Sequence, residues 1–140
     1  MNELPEAVRG LPLDHVAIAV EDLDSGAAPY VQLGLEVVSE EALPEQGVRL
    51  RMLQAGSSRL ELIEPLDAHS PLASFLSKRG QGLHHLALRV EDIDEKVSRL
   101  RSSGALFTTD EPRAGHGGSR VIFLHPSWTG GVLLELVEHG

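Results

Sequence analysis

The chain has no cysteine among its 140 residues, so thiolate ligation of a soft metal is excluded and the simplest home for the protein is the cytoplasm. Aromatic residues are scarce, three Phe, one Tyr and one Trp, and the core must therefore be built from Leu, Val, Ile and Ala. Basic residues are outnumbered, 12 against 21 acidic for a net charge of −9, and they form no basic stripe of the kind a nucleic-acid surface requires. No apolar run approaches membrane-spanning length. The opening segment Met1-Asn-Glu-Leu-Pro-Glu6 lacks the positive start and apolar stretch of a signal peptide. These absences leave neither nucleic acid nor membrane as a partner, and the length fits one compact domain with a sizeable core.

What is present is a repeat. Leu13-Asp-His-Val-Ala-Ile-Ala-Val-Glu-Asp-Leu-Asp24 returns as Leu83-His-His-Leu-Ala-Leu-Arg-Val-Glu-Asp-Ile-Asp94, with seven of twelve positions identical and His15 in register with His85. The copies also end alike: Leu60-Glu61-Leu62 followed by Glu64 reappears as Leu134-Glu135-Leu136 followed by Glu138. Both histidine runs alternate apolar residues and read as strands. His15 then shares a face with Ala17 and Ala19, and Val16, Ile18 and Val20 point the other way; His85 lies with Ala87, opposite Leu86, Leu88 and Val90. The bulky face is the one a helix covers, which leaves the histidine face open toward a cavity. By the same parity Glu61 lies beside Ile63, and Glu135 beside Leu133 and Val137.

Each copy reads as β-α-β-β-β. After the first strand, 13 to 20, Asp22 and Asp24 are capping residues for a helix from Ser25 to Gly34, in which Pro29 fits comfortably only in the first turn. Asp92 or Asp94 caps a clearer helix from Glu95 to Ser103, stopped by Gly104. Three strands follow each helix, 35 to 40, 48 to 54 and 59 to 64, then 105 to 109, 119 to 125 and 131 to 137. The expected organisation is a single domain over 11–140, with module 1 at 11–66, module 2 at 82–138 and a linker at 67–81 carrying a short helix, Leu72 to Lys78. Residues 1–10 are expected to form a flexible tail. The fold class is α+β, two tandem βαβββ modules forming a cupped mixed sheet around a metal site.

Imidazole and carboxylate donors together suit a borderline-to-hard divalent ion, cobalt, manganese, nickel or zinc. A lone strand histidine is ordinarily a satisfied core or surface residue, but two histidines and two glutamates at matched positions of a repeat point to ligands. A glutamate twice set between leucines would otherwise be a buried charge without compensation. The candidate metal ligands are thus His15, Glu61, His85 and Glu135, and four protein ligands leave two octahedral positions for substrate. The loop from Arg113 to Arg120, with three glycines beside His116, Ser119 and Arg120, offers backbone donors and positive charge to an anionic ligand.

Several motifs reach further: Asp14-His15-Val16-Ala17, Pro44-Glu45-Gln46-Gly47-Val48, Glu61-Leu62-Ile63-Glu64-Pro65-Leu66, Gly82-Leu83-His84-His85, Gly115-His116-Gly117-Gly118-Ser119-Arg120, Phe123-Leu124-His125-Pro126 and Gly130-Gly131-Val132-Leu133-Leu134-Glu135-Leu136. Through them the chain resembles the vicinal oxygen chelate superfamily over nearly its whole length, and within it the methylmalonyl-coenzyme A epimerases. The resemblance implies interconversion of (2R)- and (2S)-methylmalonyl-CoA by metal-assisted removal and return of the α-proton through an enolate. It implies a small acyl-CoA substrate, a homodimer and one divalent ion, cobalt first, with manganese, nickel and zinc as alternatives. It assigns the same four ligands, with glutamate at 61 where some relatives have glutamine. Some relatives carry a catalytic glutamate on the strand after the Pro-Glu-Gln-Gly turn; Leu50 stands there and cannot take a proton. Glu45 is the nearest remaining acid and, with Glu135, the catalytic candidate. Ser127 replaces a lysine familiar after His-Pro. His116, Ser119 and Arg120 are the substrate-binding candidates, and Lys78, Arg79, Arg113 and Arg120 are available for the coenzyme A phosphates. His84 flanks His85, His125 supports the fold, and His69 and His139 are exposed. The alternatives are a glyoxalase-like lyase or isomerase of the same superfamily, acting on a small thiol adduct, and a ligand-binding module without chemistry.

Overall fold

A computed structural model of the chain describes residues 10–140, so the expected tail lies outside the described residues but for Gly10. In chain order the elements are strand β1 (Leu13–Ala19), helix α1 (Leu23–Gln32), strands β2 (Glu36–Leu43), β3 (Val48–Ala55) and β4 (Ser58–Pro65), helix α2 (Pro71–Arg79), strand β5 (Gly82–Arg89), helix α3 (Ile93–Ser102), strands β6 (Arg113–Ala114) and β7 (Arg120–Leu124), the one-turn helix α4 (Pro126–Thr129) and strand β8 (Leu134–Glu138). Among the described residues no helix is long and apolar enough to cross a membrane. The described residues divide into two compact units, His15–His85 and a second made of Leu86–Gly140 with residues 10–14.

In the first unit the strands lie in the order β2-β3-β4-β1, with β1 parallel to β4 and the other pairs antiparallel. The alternation read from sequence holds. Val20, with Ile18 partly buried beside it, packs against Leu23 and Ala27 of α1 and against Leu53 and Leu62, so the bulky face of β1 carries the helix. Ala17 and Ala19 on the other face join Val48, Leu50 and Ile63. That face is more covered than the pattern suggests, because Leu72, Phe75 and Leu76 of α2 pack on it. The two alanines leave room for a helix, and the apolar stripe of α2 needs a surface to bury.

The second unit repeats the plan in the order β5-β8-β7-β6, with β5 parallel to β8. Ile93 and Val97 of α3 pack with Val90, Ala105, Ile122, Leu124 and Leu136; Ala87, Val121 and Val137 cluster separately. The expected strand 105–109 is reduced to an isolated bridge, Phe107 to Leu124, held by the Thr108 N–H to the Phe123 carbonyl and the His125 N–H to the Leu106 carbonyl. Pro112 has no N–H to give a ladder, and regular pairing resumes only at Arg113–Ala114. Pro29 is the seventh residue of α1 rather than in its first turn, since the helix starts earlier, after Asp22.

Both long βα junctions are closed in the same way. Asp22 accepts from the Ser25 N–H and Asp92 from the Glu95 N–H. A second carboxylate arrives from the last strand of each copy: Glu64 Oε1 accepts from the Leu23 N–H and Glu138 Oε1 from the Ile93 N–H, each at 2.8 Å. These N–H groups have no intrahelical partner, which explains why Glu64 and Glu138 recur in the repeat. Either glutamate replaced by alanine is expected to lower stability by about 1 kcal/mol in chemical denaturation, and glutamine, which keeps an acceptor oxygen, to restore most of it.

The Ser25 N–H holds the Asp22 carboxyl below the usual carboxylate range, and the Arg120 guanidinium does the same for Asp94. A carboxyl lowered in the folded state stabilises the fold above the ordinary range, and that contribution is lost as pH falls through its lowered value. Melting temperatures of Asp22→Asn and Asp94→Asn are therefore expected to fall less steeply than those of the parent below about pH 4. Equal slopes would remove these two groups from the acid response.

Candidate metal centre

His15 on β1, Glu61 on β4 and His85 on β5 come together within the first unit, with one donor atom from each lying within 4.8 Å of the others. Glu61 lies between the two rings: His15 Nε2 is 3.7 Å from Oε2 and His85 Nε2 is 3.9 Å from Oε1. The imidazoles meet edge to face, with centroids 5.7 Å apart. All three side chains are buried, at 4%, 7% and 7% exposure for His15, Glu61 and His85.

Strand register produces this meeting. The parallel pairing of β1 with β4 sets Ala17 opposite Glu61, and the antiparallel pairing of β3 with β4 sets Met52 opposite it on the other side. The carboxylate thus stands between alanine and methionine, in surroundings where an ionised group needs a cation or strong hydrogen bonds. Two imidazole nitrogens and a carboxylate around one point are a donor set for zinc, cobalt, nickel or manganese, and the residues present fit such an ion.

Glu135 lies in the second unit, on β8. It is 5% exposed and sits opposite Ala87 in the β5–β8 register, the counterpart of Glu61 opposite Ala17. Glu45 is exposed, in the single 3-10 turn Pro44–Gln46 between β2 and β3. That turn is well held: Gly47 follows it in the left-handed conformation (φ 71°), where its N–H bonds the Pro44 carbonyl and its carbonyl accepts from the Leu66 N–H. Leu50 is buried among Ala17, Ile63 and Leu72.

In the loop after β6, His116 is half-buried and Ser119 is buried. The loop backbone passes so close that a Cβ on Gly115 would stand 2.7 Å from Ser119 Oγ and from Val121 Cγ1, which accounts for glycine there. Both terminal nitrogens of Arg120 donate to the Asp94 carboxylate, at 2.7 and 3.0 Å. Lys78, Arg79 and Arg113 are exposed, with the Arg79 guanidinium over the Phe75 ring. His69 is exposed; His125 is exposed too and caps α4 through Nδ1, accepting from the Ser127 N–H.

The expectation of an exposed His139 is corrected. The ring is half-buried, and its Nε2 lies 2.6 Å from Oδ1 of Asp14, whose side chain is almost wholly covered. A covered carboxylate requires a partner, and the penultimate residue of the chain supplies one. Asp14 beside His15 was visible in the sequence; nothing in the spacing of the two residues points to this contact.

The family model for the Glyoxalase/Bleomycin resistance protein/Dioxygenase superfamily matches residues 14–123. The ethylmalonyl-CoA/methylmalonyl-CoA epimerase of Cereibacter sphaeroides is 42% identical over 90% of this chain and 96% of that protein. The chain belongs to the methylmalonyl-CoA epimerase family of this superfamily. Solved structures agree. The methylmalonyl-CoA epimerase of Mycobacterium tuberculosis superimposes with a TM-score of 0.88 at 44% identity, covering 91% of this chain and 87% of that one. A methylmalonyl-CoA epimerase solved with methylmalonyl-CoA and ammonium gives a TM-score of 0.88 at 40% identity, covering 93% and 95%. The epimerase family assignment and the α+β vicinal oxygen chelate fold both follow.

Titration of the purified protein with cobalt is expected to show one tight site, and His15→Ala or His85→Ala to weaken it by roughly 100-fold or more, since even outer residues of metal sites are worth 10- to 100-fold. Glu61→Gln is expected to weaken metal binding, because the carboxylate's charge is lost while the side chain keeps its shape. Unchanged affinity in Glu61→Gln would contradict the ligand role of the carboxylate.

Proposed function

We propose that this chain interconverts the (2R) and (2S) epimers of methylmalonyl-CoA. The observation that carries the reading is the buried His15–Glu61–His85 cluster in a chain of the epimerase family, one of whose members has been solved with methylmalonyl-CoA. The α-carbon between a thioester and a carboxylate bears a weakly acidic proton, and epimerisation removes it from one face and returns one to the other. His15, Glu61 and His85 would hold a divalent ion, with Glu135 as fourth ligand by its equivalence to Glu61 in the repeat. Such an ion supplies Lewis-acid stabilisation of charge developing on the substrate's oxygens. Cobalt is the first candidate, with manganese, nickel and zinc as alternatives.

The proton transfers fall to Glu45 and Glu135. What supports Glu45 is its place in a turn fixed by Gly47, an exposed carboxylate on a well-held backbone, together with the burial of Leu50, which carries no titratable proton. His116 and Ser119 are proposed to contact substrate, with Arg120 beside them in its pair with Asp94. The exposed Lys78, Arg79 and Arg113 are proposed for the coenzyme A phosphates. The chain from 11 to 140 is proposed to work as one domain of two modules, as a cytoplasmic homodimer.

The test is incorporation of deuterium from solvent at the α-carbon of methylmalonyl-CoA, followed by NMR. Wild-type protein loaded with cobalt is expected to exchange the proton, metal-stripped protein to lose the activity and regain it on reloading, and Glu45→Gln to exchange roughly 100- to 10,000-fold more slowly at unchanged KM. No exchange with any of the four metals would overturn the epimerase reading. Full activity in Glu45→Gln would overturn only the role of that residue.

A further inference from the structure

Two side chains of the first unit stand beside His85 without a role so far, His84 and, behind it, Phe75. His84 Nδ1 lies 2.8 Å from His85 Nδ1, with the two rings nearly perpendicular at 75° and their centroids 5.1 Å apart. The other side of His84 is taken by Phe75 of α2, edge to face at 4.7 Å, and the Arg79 guanidinium lies over Phe75, 5.7 Å from its centroid. A chain of packed groups thus runs from α2 through His84 to a ligand.

A separation of 2.8 Å between two ring nitrogens admits one hydrogen, so one Nδ1 donates and the other accepts. In a neutral imidazole one nitrogen is donor and the other acceptor. The role of His85 Nδ1 therefore decides what His85 Nε2 can do, and it is Nε2 that faces Glu61. With a hydrogen on Nε2 the ring cannot ligate through that nitrogen. With the hydrogen on Nδ1, given to His84, Nε2 presents a lone pair to the point shared with Glu61 and His15.

We infer that His84 is a positioning residue: it accepts the Nδ1–H of His85, which fixes the ligating tautomer and ring angle of that histidine, and α2 holds His84 in place through Phe75. Residues that receive the second N–H of a ligating histidine commonly act in this way. The inference rests on the metal centre proposed above and extends it to the helix between the two repeats.

The experiment is titration of the full-length, metal-stripped protein with cobalt chloride, read by visible absorption and calorimetry. His84→Ala is expected to bind 10- to 100-fold more weakly than wild type with an altered ligand-field spectrum. His84→Gln, whose side-chain oxygen accepts, is expected to recover affinity to within a few-fold. Wild-type affinity in His84→Ala, or a glutamine variant as weak as the alanine one, overturns the inference and leaves the metal centre standing. Absence of any cobalt binding by wild type overturns the metal centre itself. Should the variants not fold, long-range proton–nitrogen NMR of wild-type protein loaded with zinc decides: a hydrogen on His85 Nδ1 is expected, and a bare Nδ1 overturns the inference.

Discussion

A carboxylate buried between two imidazoles is the constraint on which the first unit turns. Taking Glu61 out of water costs several kcal/mol unless close groups of the right polarity make it good, and here the adjacent positions across the sheet are Ala17 and Met52. The imidazoles of His15 and His85 approach it at 3.7 and 3.9 Å, and a divalent ion among the three would add to the compensation. The local architecture serves this arrangement. Parallel pairing of β1 and β4 aligns the strands that carry His15 and Glu61, the alanines keep that face narrow, and α1 takes the bulky residues to the opposite face.

Within each copy the strand's two-residue period separates chemistry from support. Glu61 and Glu64 are three positions apart, so they point to opposite faces of β4. One reaches the two imidazoles and the other the N-terminus of α1. Glu135 and Glu138 repeat this division on β8: Glu138 bonds the start of α3, and Glu135 is buried on the side of Val137 and Ala87. One duplicated segment therefore carries a buried carboxylate and a helix-capping one, and neither can be displaced without shifting the other.

This division also explains what was legible in the chain. Local alternation and recurrence pointed correctly to β1, β3, β4 and β5 and to the faces of His15 and Glu61, because those properties depend on neighbours one or two residues away. Glu64 and Glu138 were visible as part of the repeat, but their capping role depends on helix starts 41 and 45 residues distant. Phe75 and Leu72 gave α2 an apolar side without saying which face it would cover. The segment 105–109 has a strand's composition, yet it makes only one bridge to β7, and regular pairing with that strand begins at Arg113. The contact of His139 with Asp14 joins the two ends of the described chain, a separation of 125 residues on which no periodicity bears.

The distribution of rigidity fits the proposed chemistry. Ligands must stay within a fraction of an ångström of their geometry, and side chains on regular elements keep such positions better than loops do; His15, Glu61 and His85 all stand on strands. A group that removes a proton from one face and lets it return on another has the opposite need, a carboxylate able to move on a fixed backbone. Glu45 answers to this, exposed at the tip of a turn whose backbone is tied to Pro44 and Leu66 and packed against Ser70 at the start of α2. The same helix reaches His84 through Phe75. In this reading α2, which belongs to neither copy of the repeat, braces both the turn that carries the proposed base and, through His84, the proposed ligand His85, so the segment joining the two modules is part of the proposed machinery rather than a spacer.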